Sequence, residues 1–174
     1  NGAVEAVPPT DPRARTYRGS QLVDAAVDWV DGQDQPWMVA LSFATNHTPL
    51  MQPPSATLPG SPDAGDLDCA PLIDQRVLSN LMEESLDHEL GRFLVNIGVA
   101  TYGDDGQLVY DRDSNTYVIL VSDNGSLGTT VKVPFDVTRA KSTAYQTGVW
   151  NPGLVVGPGI VEPGRAVDAM VNIV

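Results

Sequence analysis

Asp123 and Asn124 set a carboxylate and an amide oxygen side by side. Both are hard oxygen ligands, suited to Ca²⁺ or Mg²⁺. The plainer reading of Asp123-Asn124-Gly125 is a turn capped by the aspartate, since such tripeptides are common turn signals. His47, in Thr45-Asn46-His47-Thr48-Pro49, carries a group that can donate a proton to a leaving oxygen near neutral pH. A single histidine more often serves a local hydrogen bond. Lys141, in Arg139-Ala140-Lys141-Ser142, is a point charge able to hold a tetrahedral oxyanion, or a solvated surface group.

Three other patterns are set aside. Cys69-Ala70-Pro71-Leu72-Ile73 begins like a Cys-x-Pro-x-Arg element, but Ile73 stands in place of the arginine. Cys69 then reads as a loop or buried thiol. Asp111-Arg112-Asp113-Ser114-Asn115 alternates like a calcium loop, yet Thr116 takes the glycine position and Ser122 the terminal glutamate position. Asn46-His47-Thr48 and Asn124-Gly125-Ser126 are glycosylation-type triplets, a frequent chance match, and a glycan on Asn124 would block its use as a ligand.

The elements that must position these residues follow from hydrophobic periodicity. Residues 1–19 read as loop. Residues 20–31 place Leu22, Val23, Ala26, Val27 and Val30 on one helical stripe, with Ser20 as N-cap. Residues 36–44 are a nearly continuous apolar run after a turn signal. That pattern suits a strand buried on both faces, as in a parallel sheet. Residues 50–70 are loop. A long helix is expected over 71–97, on Leu78, Met82, Leu86, Leu90, Phe93 and Ile97, with Gly98 as its stop. Residues 103–113 read as turn and loop, 116–122 as a β-branched strand, and 153–156 as a third strand.

Helix and strand alternation predicts an α/β fold. Ligands in such sheets collect beyond the carboxyl ends of strands. His47 and Asp123 both follow strand ends, so one crevice would hold them if the two strands run parallel and adjacent. The net charge of -12 argues against nucleic acid as partner, because phosphate binding needs lysines and arginines. It also means that an anionic substrate needs local cations or a metal. No apolar run is long enough for a membrane span.

The order and spacing of four segments resemble the sulfatase family of the alkaline-phosphatase-like superfamily. PWMVALSFATNHTPLMQPP resembles the strand that delivers a His-x-Pro-type element. LSNLMEESLDHELGRFLVNIGV resembles the helix that ends in Asp-x-x-x-Gly-Arg. TYVILVSDNGSLG is similar to the Ser-Asp-Asn-Gly element. KSTAYQTGVWNPGLVVGPGIVEPGR resembles the block that opens on Lys-Gly. The likeness covers residues 20–174, with Ser142 in place of that glycine, Gln146-Thr147 in place of Glu-Gly and a shifted proline at Asn151-Pro152.

The resemblance implies an alkaline-phosphatase-like sandwich, its mostly parallel central sheet flanked by helices and incomplete in this chain. It implies Asp123 and Asn124 as ligands of Ca²⁺, or of Mg²⁺. It implies His47 and Lys141 as catalytic, sulfate-binding residues. The nucleophile would be a formylglycine in an N-terminal Cys/Ser-x-Pro-x-Arg segment not among these residues. The 174 residues are therefore expected to be a partial catalytic domain, inactive alone and partnered by the rest of the parent chain. Its substrate would be a sulfated small molecule or carbohydrate, and its location periplasmic or secreted. Phosphodiester or phosphonate ester hydrolysis by the same superfamily, and a non-catalytic sulfatase-like fragment, are the alternatives.

Overall fold

A computed structural model describes residues 4–169 and 171. Helix α1 spans Arg18–Asp31 and α2 spans Leu72–Asn96. Strands β1 (Ala100–Tyr102) and β2 (Leu108–Tyr110) form an antiparallel hairpin. Strands β3 (Val118–Val121) and β4 (Gly153–Val156) form a second antiparallel pair, with Val118 opposite Val156. A one-turn helix, α3 (Gln146–Val149), lies between them in sequence. No described helix is long and apolar enough to cross a membrane.

Helix α2 is the spine. Its apolar stripe splits between two cores. Phe93 packs with Val23, Ala26 and Val30 of α1, while Leu78 and Met82 pack with Leu50. Burial of such side chains contributes about 1.5–3 kcal/mol each. The buried side of α2 also carries Ser79, Ser85 and Glu89, and each bonds a different segment. Ser79 donates to Asn46, Ser85 to Thr57, and Glu89 accepts from Ser20 of α1. A buried polar group without a partner costs about 1–3 kcal/mol, so these bonds select which segments dock where.

Ser20 is not the N-cap that its residue type suggests. α1 starts earlier, after Tyr17 and without a side-chain cap, because the Ser20 hydroxyl is committed to Glu89 at 2.8 Å. Gly98 ends α2 as expected, at φ 72°, a conformation that glycine adopts at no steric cost. The hairpin within residues 100–110 departs from the loop expected over 103–113. Its strands are three residues each, too short to show a period-two pattern. It rests on α2 at Gly91, where a Cβ would stand 2.9 Å from the Tyr102 hydroxyl.

Residues 36–44 differ most from expectation. They join no ladder, and the described residues contain only antiparallel pairs. Their period of two is intact: Trp37, Val39, Leu41 and Phe43 pack on the α1–α2 core, whereas Met38 is 89% exposed. Parallel strands need cover on both faces, and here helices cover one face only. β3 and β4 are similarly bare, with Ile119 and Leu154 largely exposed.

Candidate functional site

The Asp123 turn and the Lys141 segment are locked together by backbone. The Gly125 amide donates to the Gly148 carbonyl at 3.0 Å and the Ser126 amide to the Thr147 carbonyl at 3.0 Å. The Lys141 amide donates to the Ser126 carbonyl at 2.8 Å. The approach leaves no room for side chains. A Cβ on Gly125 would lie 2.6 Å from the Gly148 carbonyl carbon, and one on Gly148 would lie 2.5 Å from the Ala140 carbonyl oxygen. Glycine is required at both positions for closeness rather than for φ.

Within this unit, Asp123 is exposed, while Asn124 and Lys141 are half-buried. The Asn124 amide nitrogen donates to the Gly125 carbonyl at 2.8 Å. That bond points the group's donor into the turn and leaves its oxygen without a donor among the described residues. The Lys141 ammonium makes no hydrogen bond or ion pair to described residues. Its neighbour Arg139 is engaged, pairing with Asp136 at 3.4 Å and lying 4.4 Å from the Tyr145 ring centroid. Bonds from the Thr138 hydroxyl and amide hold the Asp136 carboxyl below the usual range. Lys141 is thus a half-buried cation whose ammonium has no partner among the described residues.

His47 arrives on a separate turn, closed by its amide donating to the Ala44 carbonyl at 3.1 Å. The ring is exposed, and Nδ1 lies 2.9 Å from the Thr48 carbonyl oxygen. A carbonyl only accepts, so this bond puts the proton on Nδ1. Nε2 is then the acceptor in the neutral ring and the donor in the cation. Asn46, at φ 71°, ties the turn to α2 by accepting from Ser79 at 2.8 Å and donating to Glu83.

Helix α2 also receives the loop beyond Asp123. Arg76 donates to the Thr129 carbonyl at 3.3 Å, and Lys132 to Asn80 at 3.0 Å. The structure therefore ties the residues that follow Asp123 and Asn124, Gly125 and Ser126, to the backbone at Thr147, Gly148 and Lys141, and brings the His47 turn and the loop beyond Asp123 to the same stretch of α2, residues 76–83. Among described residues no group of three or more His, Cys, Asp or Glu side chains is arranged around a metal position. The Asp123 carboxylate and the unengaged Asn124 oxygen fit a hard cation as two ligands of a larger set.

The chain matches no family model, no curated protein and no solved structure.

The loop over 50–70 holds a cleft of about 320 Å³ lined by Gln52, Ser55, Leu58 and Asp66. Cys69 is an exposed free thiol. Both triplet asparagines use their amide nitrogens inside the fold. Asn46 stands out in the sequence only as the head of a glycosylation-type triplet, and Ser79, Glu83 and the Gly125–Gly148 contact do not stand out at all. The one local signal was the residue type of Asn46, since asparagine is enriched in left-handed conformation.

Ser142, beside Lys141, sits at φ 76°, where a residue with a Cβ is disfavoured by about 1–2 kcal/mol. Ser142→Gly is expected to raise stability by about 0.5–1 kcal/mol, since the glycine's greater freedom in the unfolded chain offsets part of that gain. Denaturant unfolding measures it; a loss of stability would mean that Ser142 is not held in this conformation.

Proposed function

We propose that this chain is the section of a sulfuric-ester hydrolase, a sulfatase, that binds the sulfate group. It would supply His47 and Lys141 to the ester and two ligands to a metal ion. The observation that carries the reading is the backbone lock between the Asp123-Asn124 turn and Lys141. It holds the backbone that follows the Asp123 and Asn124 oxygens against the backbone of Lys141, whose ammonium has no partner among the described residues, and this supports a site in which a metal and a cation share one anion. A second support is Ser142, whose left-handed backbone falls where the resembling sulfatase block carries glycine.

In this reading Asp123 and Asn124 hold Ca²⁺, or the smaller Mg²⁺, which when bound supplies positive charge beside the sulfate oxygens. Lys141 neutralises charge on another sulfate oxygen. As the imidazolium, His47 gives its Nε2 proton to the ester oxygen as the sulfur–oxygen bond breaks, leaving the neutral ring with its proton on Nδ1. The attacking group, a formylglycine in the parent chain, is supplied from outside these residues. The bare faces of 36–44, β3 and β4 suit a section that packs against the rest of a larger sheet, since a lone two-stranded ribbon is marginal in water. The substrate class is a sulfated small molecule or carbohydrate.

The parent chain is expected to cleave nitrophenyl sulfate. Asp123→Ala would lower kcat/KM by about 100-fold or more, as loss of one strong electrostatic group at a reacting centre does, and would weaken Ca²⁺ binding by calorimetry. Turnover of a nitrophenyl phosphate diester in its place would assign the site to phosphodiester chemistry. Absence of turnover on both esters would make the chain a binding fragment.

A further inference from the structure

We propose that Asn151 is a third protein oxygen on the metal, beside Asp123 and Asn124, and that it makes the site select Ca²⁺ over Mg²⁺; this rests on the metal site proposed above. The sulfatase resemblance gives Asn151 no role, and backbone pairing is what places it. The β3–β4 ladder ends at Val121 opposite Gly153, and the Ser122 amide extends it to the Pro152 carbonyl at 3.4 Å. The next bond runs from the Gly125 amide to the Gly148 carbonyl at 3.0 Å. Between those two bonds stand Asp123 and Asn124 on one side, and Val149, Trp150 and Asn151 on the other. One extra residue on one side is a bulge, which re-aims side chains. Val149 and Trp150 turn to solvent, while Asn151 is half-buried. Asn151 is the first residue beyond Pro152, as Asp123 is the first beyond Ser122. Residues so opposed carry their Cβ atoms about 4.5–5.5 Å apart on one face.

The Asn151 Oδ1 is shut off from water and has no donor among the described residues. A buried acceptor without a donor destabilises the fold, and a cation in the donor's place removes that cost. Ca²⁺ sits about 2.3–2.6 Å from its oxygens, nearer than the about 2.8 Å of a hydrogen-bonded water, so it reaches recesses that water does not. The facing groups suit it. Asp123 is exposed, and Asn124 spends only its nitrogen, on the Gly125 carbonyl. The set is then one carboxylate and two neutral amide oxygens. Ca²⁺ gathers many such oxygens in flexible geometry, whereas Mg²⁺ keeps several of its waters and takes few protein ligands. A third, neutral protein oxygen therefore strengthens Ca²⁺ binding more than Mg²⁺ binding.

The test is calorimetric titration of the parent chain with Ca²⁺ and, separately, with Mg²⁺. Asn151→Ala is expected to weaken Ca²⁺ binding by about tenfold or more, the least that even an outer support of a metal ligand is worth. Mg²⁺ binding is expected to weaken by less than about threefold, because water takes the vacated position. Asn151→Asp puts a carboxylate oxygen in the same place and is expected to bind Ca²⁺ at least as tightly as the native chain. An asparagine with a merely structural role would weaken both ions together. Three results would overturn the proposal: no Ca²⁺ binding by the native chain, native Ca²⁺ affinity in Asn151→Ala, or equal losses for the two ions. Should Asn151→Ala open the bulge, seen as lost amide protection at Ser126, Asn151→Asp decides alone, and weaker Ca²⁺ binding there overturns the proposal. Loss of Ca²⁺ binding in Asp123→Ala but not in Asn151→Ala would keep the metal site and remove Asn151 from it. Loss in both, in a parent chain that cleaves neither nitrophenyl ester, would remove the sulfatase reading and leave the ligand.

Discussion

Gly125→Ala is expected to separate the Asp123 turn from the Lys141 segment. The new methyl would enter the space of the Thr147 and Gly148 backbone, 2.6 Å from the Gly148 carbonyl carbon. Backbone cannot step aside as a flexible side chain would. Overpacking of this kind costs about 1–3 kcal/mol, and the inter-segment bonds of Gly125, Ser126 and Lys141 are worth about 0.5–1.5 kcal/mol each. The clash therefore cancels much of what the three bonds contribute together, and the contact opens more readily. Hydrogen exchange reads this directly. Amide protection at Ser126 and Lys141 is expected to fall by about 30-fold or more, equivalent to about 2 kcal/mol at 1.4 kcal/mol per decade. On the reading proposed above, sulfate-ester turnover by the parent chain would fall with it, since the residues proposed to hold the anion would part. Ser126→Ala alters a side chain without touching these bonds and serves as control. Native protection at both amides in Gly125→Ala would show that the segments are not packed backbone to backbone.

The second large effect concerns stability. Glu89 is 2% exposed and gathers bonds from both helices. It accepts from Ser20 at 2.8 Å and from Arg92 at 2.9 and 2.7 Å. Arg92 in turn bonds Asp24 at 2.6 Å and the Ser20 carbonyl at 3.1 Å. Partial burial works against the charge on Arg92, but Asp24 and Glu89 outweigh it and raise its pKa. Breaking a fully buried pair costs about 3–5 kcal/mol. Arg92 keeps 29% of its side chain exposed and retains Asp24, so the expected loss for Glu89→Ala is smaller, about 2–3 kcal/mol. At about 2–4 °C per kcal/mol for a chain of this length, Tm is expected to fall by roughly 5–10 °C. Asp24→Ala, which removes an exposed partner, is expected to cost under about 1 kcal/mol. Equal losses for the two variants would mean that burial of Glu89 is not what gives the bridge its weight.

Much of the local structure was legible in residue order. The stripes Val23–Ala26–Val30 and Leu78–Met82 marked the buried faces of α1 and α2, because helix periodicity is set within a few residues. Gly98 marked the end of α2 for the same local reason. Strand β4 lies at 153–156 as read, and β3 lies within the run 116–122. The residue types of Asp123, Asn124, His47 and Lys141 also suggested hard-cation, proton and anion handling before any contact was known, beside the plainer roles of turn, local hydrogen bond and solvated charge.

Pairing was a tertiary matter. Residues 36–44 carry strand periodicity, yet a strand forms a ladder only where a neighbour presents its backbone, and sequence order does not name that neighbour. The same holds for polar groups. Ser20 has the type of an N-cap, but the carboxylate of Glu89, 69 residues away, takes its hydroxyl. Nothing within a few residues of Asn46 or Gly125 announces Ser79, Glu83 or Gly148. Only the folded chain brings Asp123, Asn124 and Lys141 into one unit, because two glycines far apart in sequence let backbone meet backbone.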